Sequence, residues 1–404
     1  MFERAERHAA AGDDHEAERL LRNLTRHSTL QVRSEARFRL AMLLAKGGRT
    51  TDAALLLRQI LDENPTASRV RLELARLLER IGDDAGARRA LREAQAGGLP
   101  PEVALLVDRY SAALRARKST GASLEVAIAP DSNINRATRS ASLGTIFGDL
   151  TLDRDARETS GVGLALRGQA YWRAGLGRKL NLLAKIAGSA DLHRAKRFND
   201  VATGVSAGPE LALGAARLSA ELGTIWRWRG QEPVSRTLYA GANYLRPLDR
   251  RSQLRMAGSI GTINNQLSNL QDGRTYGLSL SYERALSARA GVGATVLAER
   301  HNLRDDGYST WSGQLSVFGY RELGAATVTA TFSYMRLEAD KRLFLYSSRR
   351  KEDLYRASIA ATFRKLVVAG FAPLVRITLE QNRSTLALFD YRRVRTEVGI
   401  VRAF

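Results

Sequence analysis

The chain has 404 residues, which is more than one common domain, and it has no cysteine, which excludes a disulfide framework and a thiolate metal site. Its formal net charge is +21, from 63 basic and 42 acidic side chains. Because the arginines are spread along the whole chain and form no single stripe, we expect no nucleic-acid partner. The sequence also lacks an apolar run of about 18 residues, which excludes a transmembrane helix.

The amino-terminal stretch MFERAERHAAAGDD is charged and has no apolar segment of the kind found in signal peptides. If the protein crosses a membrane, we therefore expect its targeting segment to have been removed. In that case Met1 replaces the original signal peptide.

Residues 1 to 118 contain a repeated helical pattern. Ala41 in FRLAMLLAKGG aligns with Ala75 in LELARLLERIG, and Gly48 aligns with Gly82, always 34 residues apart. This period is typical of tetratricopeptide repeats, in which small residues let paired helices approach each other and glycines form the turns. We predict two clear repeats and one weaker repeat, followed by a capping helix over residues 101 to 118.

A stack of such repeats forms a concave groove that suits extended peptides or partner helices. The alternative is that the helices only space or cap the second domain. We predict that residues 1 to 118 form an all-α tetratricopeptide-repeat domain whose role is association, in the periplasm.

From Gly121 onward, apolar and polar residues alternate with a period of two. Each alternating segment is long enough to cross a bilayer at a tilt, which takes about 9 to 11 residues. The predicted strands are 122–129, 160–173, 178–191, 200–209, 215–228, 233–246, 252–263, 273–285, 288–300, 309–321, 325–337, 353–364, 367–381 and 391–404.

Alternation alone fits both a soluble sandwich and an outer-membrane barrel. The connections decide between them, because long and short ones alternate, as in barrels with long external loops and tight periplasmic turns. Aromatic residues also fall near strand ends, where headgroups lie. We therefore predict that residues 119 to 404 form a transmembrane antiparallel β-barrel of about 14 strands in the bacterial outer membrane. The outward aromatic residues are Trp172, Trp226, Trp228, Tyr282, Trp311 and Tyr334.

The last predicted strand, RTEVGIVRAF, ends on an aromatic residue. Phe404 resembles the terminal signal that the barrel assembly machinery reads on outer-membrane barrels. This machinery, together with periplasmic chaperones and outer-membrane lipid, is therefore an expected partner.

The inward register of the strands carries many charged residues. They could pair with one another and plug the interior, or they could line a hydrated conduit that passes a polar chain. We favour the conduit because of the appended groove domain. The candidates for the lumen wall are Arg167, Lys185, Glu221, Arg227, Glu299, Arg356, Arg376, Glu380, Arg395 and Glu397.

The residues that could support catalysis are few. His193 and His301 follow strands that end on the external side, near Asp191 and Glu299 respectively, but neither pair belongs to a known motif. Histidines and carboxylates never recur at metal-ligand spacing. We therefore expect no enzyme activity, no metal and no cofactor.

The start of the barrel reads EVAIAPDSNINRATRS. With the preceding repeats, about fourteen strands and the terminal Phe404, this stretch resembles the surface lipoprotein assembly modifier family over nearly the whole chain. The residues carried over from the family motif are Pro130, Asp131, Ser132, Asn133, Asn135 and Arg136.

The resemblance implies an outer-membrane translocon of type XI secretion in Gram-negative bacteria. Such proteins move surface lipoproteins, or secreted haem- and metal-scavenging proteins, from the periplasm to the cell surface. Whether the motif contacts the client or shapes the end of the first strand stays open. So do the identity and lipidation of the client, the plugging of the lumen, the exit route and the energy source.

Two other classes compete with this interpretation. An exopolysaccharide exporter also joins tetratricopeptide repeats to a barrel, and arginine enrichment would leave an anionic polymer possible. A hydrolase with a site in the external loops would use the two histidines.

Overall fold

The computed structural model describes residues 1–81, 83–96, 120–177, 179–249, 251–287, 289–363, 366 and 371–402. The helices are α1 (Phe2–Ala10), α2 (Asp14–Leu24), α3 (Leu30–Lys46), α4 (Thr50–Glu63), α5 (Ser68–Ile81) and α6 (Asp84–Ala96). The strands are β1 (Thr120–Asp131), β2 (Ser142–Thr145), β3 (Gly148–Thr151), β4 (Gly161–Gly175), β5 (Leu180–His193), β6 (Asp200–Leu213), β7 (Ala216–Arg229), β8 (Glu232–Pro247), β9 (Ser252–Asn265), β10 (Gly273–Ser287), β11 (Ala290–Leu303), β12 (Thr310–Leu323), β13 (Ala326–Ala339), β14 (Lys351–Phe363), β15 (Phe371–Ser384) and β16 (Tyr391–Arg402).

The six helices stack in sequence, each against the next. The alanines at the repeat positions, including Ala41 and Ala75, are completely buried, so neighbouring helices approach closely. Gly12 and Gly48 have φ values of 82° and 83°, which side chains disfavour, and they form the turns after α1 and α3. The predicted helical repeats are confirmed. Gly82 and the proposed capping helix lie outside the described residues, and the boundary at residue 118 stays a prediction.

None of the helices in the described ranges is long and apolar enough to cross a membrane.

Fourteen strands form a closed antiparallel barrel in which each strand pairs with its neighbours in the chain, and β1 also pairs with β16. The predicted barrel is confirmed, and strand ends differ from the prediction by a few residues. The remaining two strands, β2 and β3, form a hairpin within the connection from β1 to β4.

The two ends of the barrel differ. At one end, which we call the turn end, most strands are joined by two to four residues, as at 214–215 and 176–179. The opposite end, the loop end, carries the 132–160 connection and most of the other long ones. Among the connections that are described in full, one departs from the predicted alternation: 230–231 at the loop end is a two-residue turn, in which Gly230 adopts a φ of 66°.

The apolar face of the barrel is on the outside. Leu124, Ile128 and Trp172 are 44%, 60% and 50% exposed, whereas the alternate residues Glu125 and Asp131 are largely or fully buried on the inside. A soluble sandwich would bury the apolar side chains, so this arrangement excludes it. The exterior instead matches the lipid-facing band of an outer-membrane barrel.

Candidate functional site

The interior side of the closing seam carries a group of connected ion pairs. β1 pairs with β4 along its full length, but within the described residues it pairs with β16 only at residues 125–128 and at Asp131. The described seam between β1 and β16 is therefore short. Ion pairs from the neighbouring strands brace it from inside.

One group of ion pairs crosses the middle of the seam. Arg376 on β15 lies 2.8 Å from Glu125 on β1 and 2.8 Å from Glu397 on β16. Arg167 on β4 lies 2.9 Å from Glu125 and 2.8 Å from Glu397. Four strands are thus joined by two arginines and two carboxylates, which compensate each other's charge.

A second group lies closer to the loop end. Arg393 contacts Asp131 at 2.5 Å, and both side chains are at most 5% exposed. Arg395 contacts Asp191 on β5 at 2.6 Å and Glu397 at 3.1 Å. A buried charge without its partner is costly, so each pair constrains the positions of the strands that carry it.

The family motif continues this bracing into the first loop. Ser132 donates its backbone N–H to the Val394 carbonyl at 3.0 Å, and the Val394 N–H donates to Ser132 Oγ at 2.9 Å. Asn133 is fully buried and donates from Nδ2 to the carbonyls of Ala137 and Arg392 at 2.9 and 3.0 Å. The ladder between β1 and β16 therefore continues past the end of β1.

The rest of the motif fixes the shape of the 132–160 loop. Asn135 donates from Nδ2 to the carbonyls of Asp155 and Arg157 at 3.0 and 2.8 Å. Arg136 has a φ of 49° and donates to Glu380 on β15 at 3.2 Å. Pro130 is the penultimate residue of β1. These contacts hold the end of β1 and the start of the 132–160 loop together.

The remaining lumen candidates are distributed around the wall. Lys185 contacts Glu221 at 2.7 Å, and Arg356 contacts Glu380 at 2.9 Å. Near the loop end, Arg227 contacts Asp200 at 2.6 Å. Glu299 on β11 takes the inward register, away from the seam. The sequence prediction omitted Glu125, although its place in the inward register of β1 would have identified it.

Among the described residues, His193 and its neighbouring carboxylate Asp191 do not form a catalytic pair. Asp191 directs both carboxylate oxygens to Arg395, and His193 Nδ1 has no hydrogen-bond partner among the described residues. The described part of the chain also contains no group of three or more metal-ligating side chains.

The helical domain docks on the turn end of the barrel. Arg71 on α5 and Glu93 on α6 form a 2.7 Å ion pair in which both side chains are at most 3% exposed. Tyr320 on β12 donates its hydroxyl to Glu93 at 3.4 Å, and its ring lies 5.4 Å from the Arg89 guanidinium. The buried pair therefore sits at the contact between the two parts of the protein.

The docked domain presents an open groove of about 1030 Å³. Its floor is apolar, with Phe38, Met42 and Leu43 of α3 half-buried, and its rim is charged, with Arg69 and Lys46. Such a surface can hold an extended segment with alternating apolar and polar side chains.

The domain contact should depend on pH through Glu93. Burial, followed by repulsion from Glu322, raises the pKa of Glu93 to about 7. The ionised form is therefore penalised in the folded state, so stability is lost as pH rises from the ordinary glutamate value through 7. We expect the helical domain to lose about 1 kcal/mol between pH 6 and 8. Thermal unfolding of the wild type and of Glu93→Gln should show this slope in the wild type and remove it in the variant.

A closed barrel with an apolar exterior and a charged interior, joined to tetratricopeptide repeats, defines an outer-membrane β-barrel protein with a periplasmic-type association domain. The model of the surface lipoprotein assembly modifier family matches residues 122–404, and a tetratricopeptide-repeat model matches residues 44–110. The chain belongs to the surface lipoprotein assembly modifier family, and this supports a role in surface lipoprotein assembly in the outer membrane.

Solved structures of other barrels are distantly similar. The toluene transporter TodX of Pseudomonas putida is 9% identical with a TM-score of 0.38, over 75% of this chain and 94% of that chain. OprD of Pseudomonas aeruginosa is 12% identical with a TM-score of 0.38, over 70% and 93% of the two chains. A search of curated proteins finds no match.

Proposed function

We propose that this protein is a translocon that moves surface lipoproteins, or secreted haem- and metal-scavenging proteins, from the periplasm to the cell surface. The observation that supports this most is the groove domain docked through Arg71 and Glu93 on the turn end of the barrel. In bacterial barrels the short turns face the periplasm. A client captured in the groove would therefore wait beside the periplasmic opening.

The path through the barrel would follow the wall opposite the seam. The seam side is filled by paired charges, whereas the middle of the inward face of β10 and β11, between Glu283 and Glu299, carries small hydroxyl side chains. Of these, Ser281 and Thr295 are hydrogen-bonded at 3.0 Å. Such a wall offers hydrogen bonds without strong electrostatic attachment, so a polar chain can pass without being held. Folding of the client outside would supply the driving force.

Assembly of the translocon itself would need the barrel assembly machinery and periplasmic chaperones. Phe404, the proposed signal, lies outside the described residues.

The test is co-expression with candidate clients from neighbouring genes, followed by protease treatment of intact cells to measure surface exposure of the client. Replacing Phe38 and Met42 with alanine removes the groove floor, and we expect export to fall about tenfold. The matched control replaces Leu55 and Leu56 of α4, which are also half-buried but do not line the groove.

Deletion of residues 1 to 118 should likewise weaken export while the barrel still assembles. An isolated barrel that exports the client as well as the full chain would contradict the role of the groove. The hydrolase alternative is tested separately, because normal export by the His193→Ala and His301→Ala variants would exclude it.

A further inference from the structure

Basic side chains are numerous on the outer face of the barrel near the loop end. Inward arginines and lysines at the seam are matched by carboxylates, so they do not account for the excess. At and just beyond the outward positions next to the loop end, the carboxylates are Glu338, Asp340 and Asp353. The basic residues at the same level, from β8 to β16, are Arg236, Arg274, Arg300, Arg336, Lys351, Arg383 and Arg392.

Four of these cations cluster on neighbouring strands β11 to β15, and we call Arg300, Arg336, Lys351 and Arg383 the rim cluster. Arg300 is paired with Asp340 at 2.5 Å, and Lys351 lies 3.8 Å from Glu338. Arg336 is held at 2.6 Å by Asp353, and register pairing places Asp353 opposite Arg383. The carboxylate therefore orients the first arginine, while Arg383 is exposed and forms no ion pair with any described residue.

Aromatic rings accompany the rim cluster. The Tyr334 and Tyr355 rings are 5.1 Å apart, and the Tyr334 hydroxyl donates to Asp353 at 2.7 Å. Trp311, which pairs with Arg300 in the register, is half exposed on the outer face. Outward tyrosine, tryptophan and arginine side chains at one level mark the headgroup layer of the membrane.

Below the rim cluster, the same strands form an apolar depression of about 750 Å³ in the outer wall, which we call the wall groove. The wall is depressed at the centre because Gly319 pairs with Ala330 in the register and both side chains are small, whereas larger side chains border this point. The bordering residues are Val292, Val317, Phe332, Ile359, Ile377 and Leu379.

The distance between the rim cluster and the wall groove suits the headgroup and an acyl chain of the same lipid. Phe332 at the upper border of the wall groove is four residues from Arg336 along β13, about 13 Å at the usual strand rise. Ala330 is about 7 Å farther from the rim. An acyl chain that hangs from a headgroup at the rim cluster would therefore enter the wall groove.

We propose that strands β11 to β15 bind a phosphorylated, acylated glycolipid of the outer leaflet, of the lipid A type. Its phosphates would contact Lys351 and Arg383, because guanidinium and ammonium groups bind phosphate with charge-assisted hydrogen bonds. One acyl chain would occupy the wall groove. The site rests on the loop end facing outward, but it is independent of the path that a client takes.

The experiment uses the full-length protein purified in detergent and titrated with hexa-acyl bisphosphoryl lipid A, with binding measured by native mass spectrometry. We expect a Lys351→Ala/Arg383→Ala variant to bind about tenfold more weakly. Its matched control is Arg246→Ala/Arg321→Ala, which removes two exposed outward arginines near the turn end and should bind as the wild type does.

The acyl part is tested with glycines on the lipid face. Gly319→Leu fills the wall groove and should weaken binding, whereas Gly258→Leu adds the same side chain to an open outward position on β9 and should not. Binding that is equal in the rim variant and its control, or equal for lipid A without phosphates, would overturn the site. Gel mobility before and after heating checks folding, and Arg383→Ala alone replaces a double variant that fails it. Client export is not part of the readout, so failure here leaves the translocon proposal intact.

Discussion

Replacing Gly399 with alanine is expected to prevent the barrel from closing. Gly399 on β16 lies against β1, where an added Cβ would be 2.1 Å from the Val126 carbonyl oxygen and 2.5 Å from Ala127 Cα. These are backbone atoms, so no side chain can rotate away to make room. Because the described seam pairs over few residues, it has few other ladder hydrogen bonds to retain the register. We expect a loss of roughly 3 kcal/mol, from overpacking and from lost hydrogen bonds.

The measurement is the fraction of protein in outer membranes that migrates as a folded barrel before heating. The matched control is Gly241→Ala on β8, also an inward glycine, whose added Cβ would meet nothing closer than 3.5 Å. Normal assembly of both variants would show that the seam tolerates displacement of β1. In that case its ion pairs, rather than its backbone contact, maintain closure.

The strands and helical repeats were predictable because each has a local period. A pleated strand alternates its side chains between two faces, and the 34-residue spacing of Ala41 and Ala75 follows from one helical pair. Both patterns can be recognised in a short stretch of sequence without knowledge of the rest of the chain. The short 230–231 connection was missed because its turn depends on the backbone conformation of one glycine.

The partners of the lumen residues could not be predicted in the same way. Alternation indicates that Glu125 and Arg376 face inward, but the two are 251 positions apart and meet only because the sheet closes on itself. Likewise, Asn133 is an ordinary loop residue in the sequence. Its buried bond to the Arg392 carbonyl depends on the register between β1 and β16.

Arg71 is the clearest example of a residue whose role the sequence did not indicate. On an amphipathic helix an arginine is expected to be solvated, yet its side chain is 2% exposed and paired with Glu93. Both residues of this pair belong to the helical domain, and Tyr320 of the barrel donates a hydrogen bond to Glu93. The Arg71 side chain is therefore buried where the helical domain meets the barrel, and neither the helical period of one nor the strand period of the other indicates such a contact.

Replacing Arg71 with alanine should therefore undock the helical domain. At pH 8, where the Glu93 carboxyl of the wild type is ionised, the substitution leaves it buried beside Glu322 without its closest cation, which typically costs about 3 to 5 kcal/mol. Hydrogen exchange should show faster exchange of α5 and α6 amides. Client export should fall while the barrel still assembles, because the groove would no longer be held beside the turn end.

Two further variants separate charge from packing. Arg76→Ala removes a mostly exposed arginine from the same helix and should leave exchange and export unchanged. The double variant Arg71→Leu/Glu93→Leu removes both charges and keeps much of the volume, so it should recover most of the lost protection. If the double variant exchanges as fast as Arg71→Ala, the penalty does not come from an unpaired carboxylate. The polar contacts of Glu93 with the barrel would then be what maintains docking.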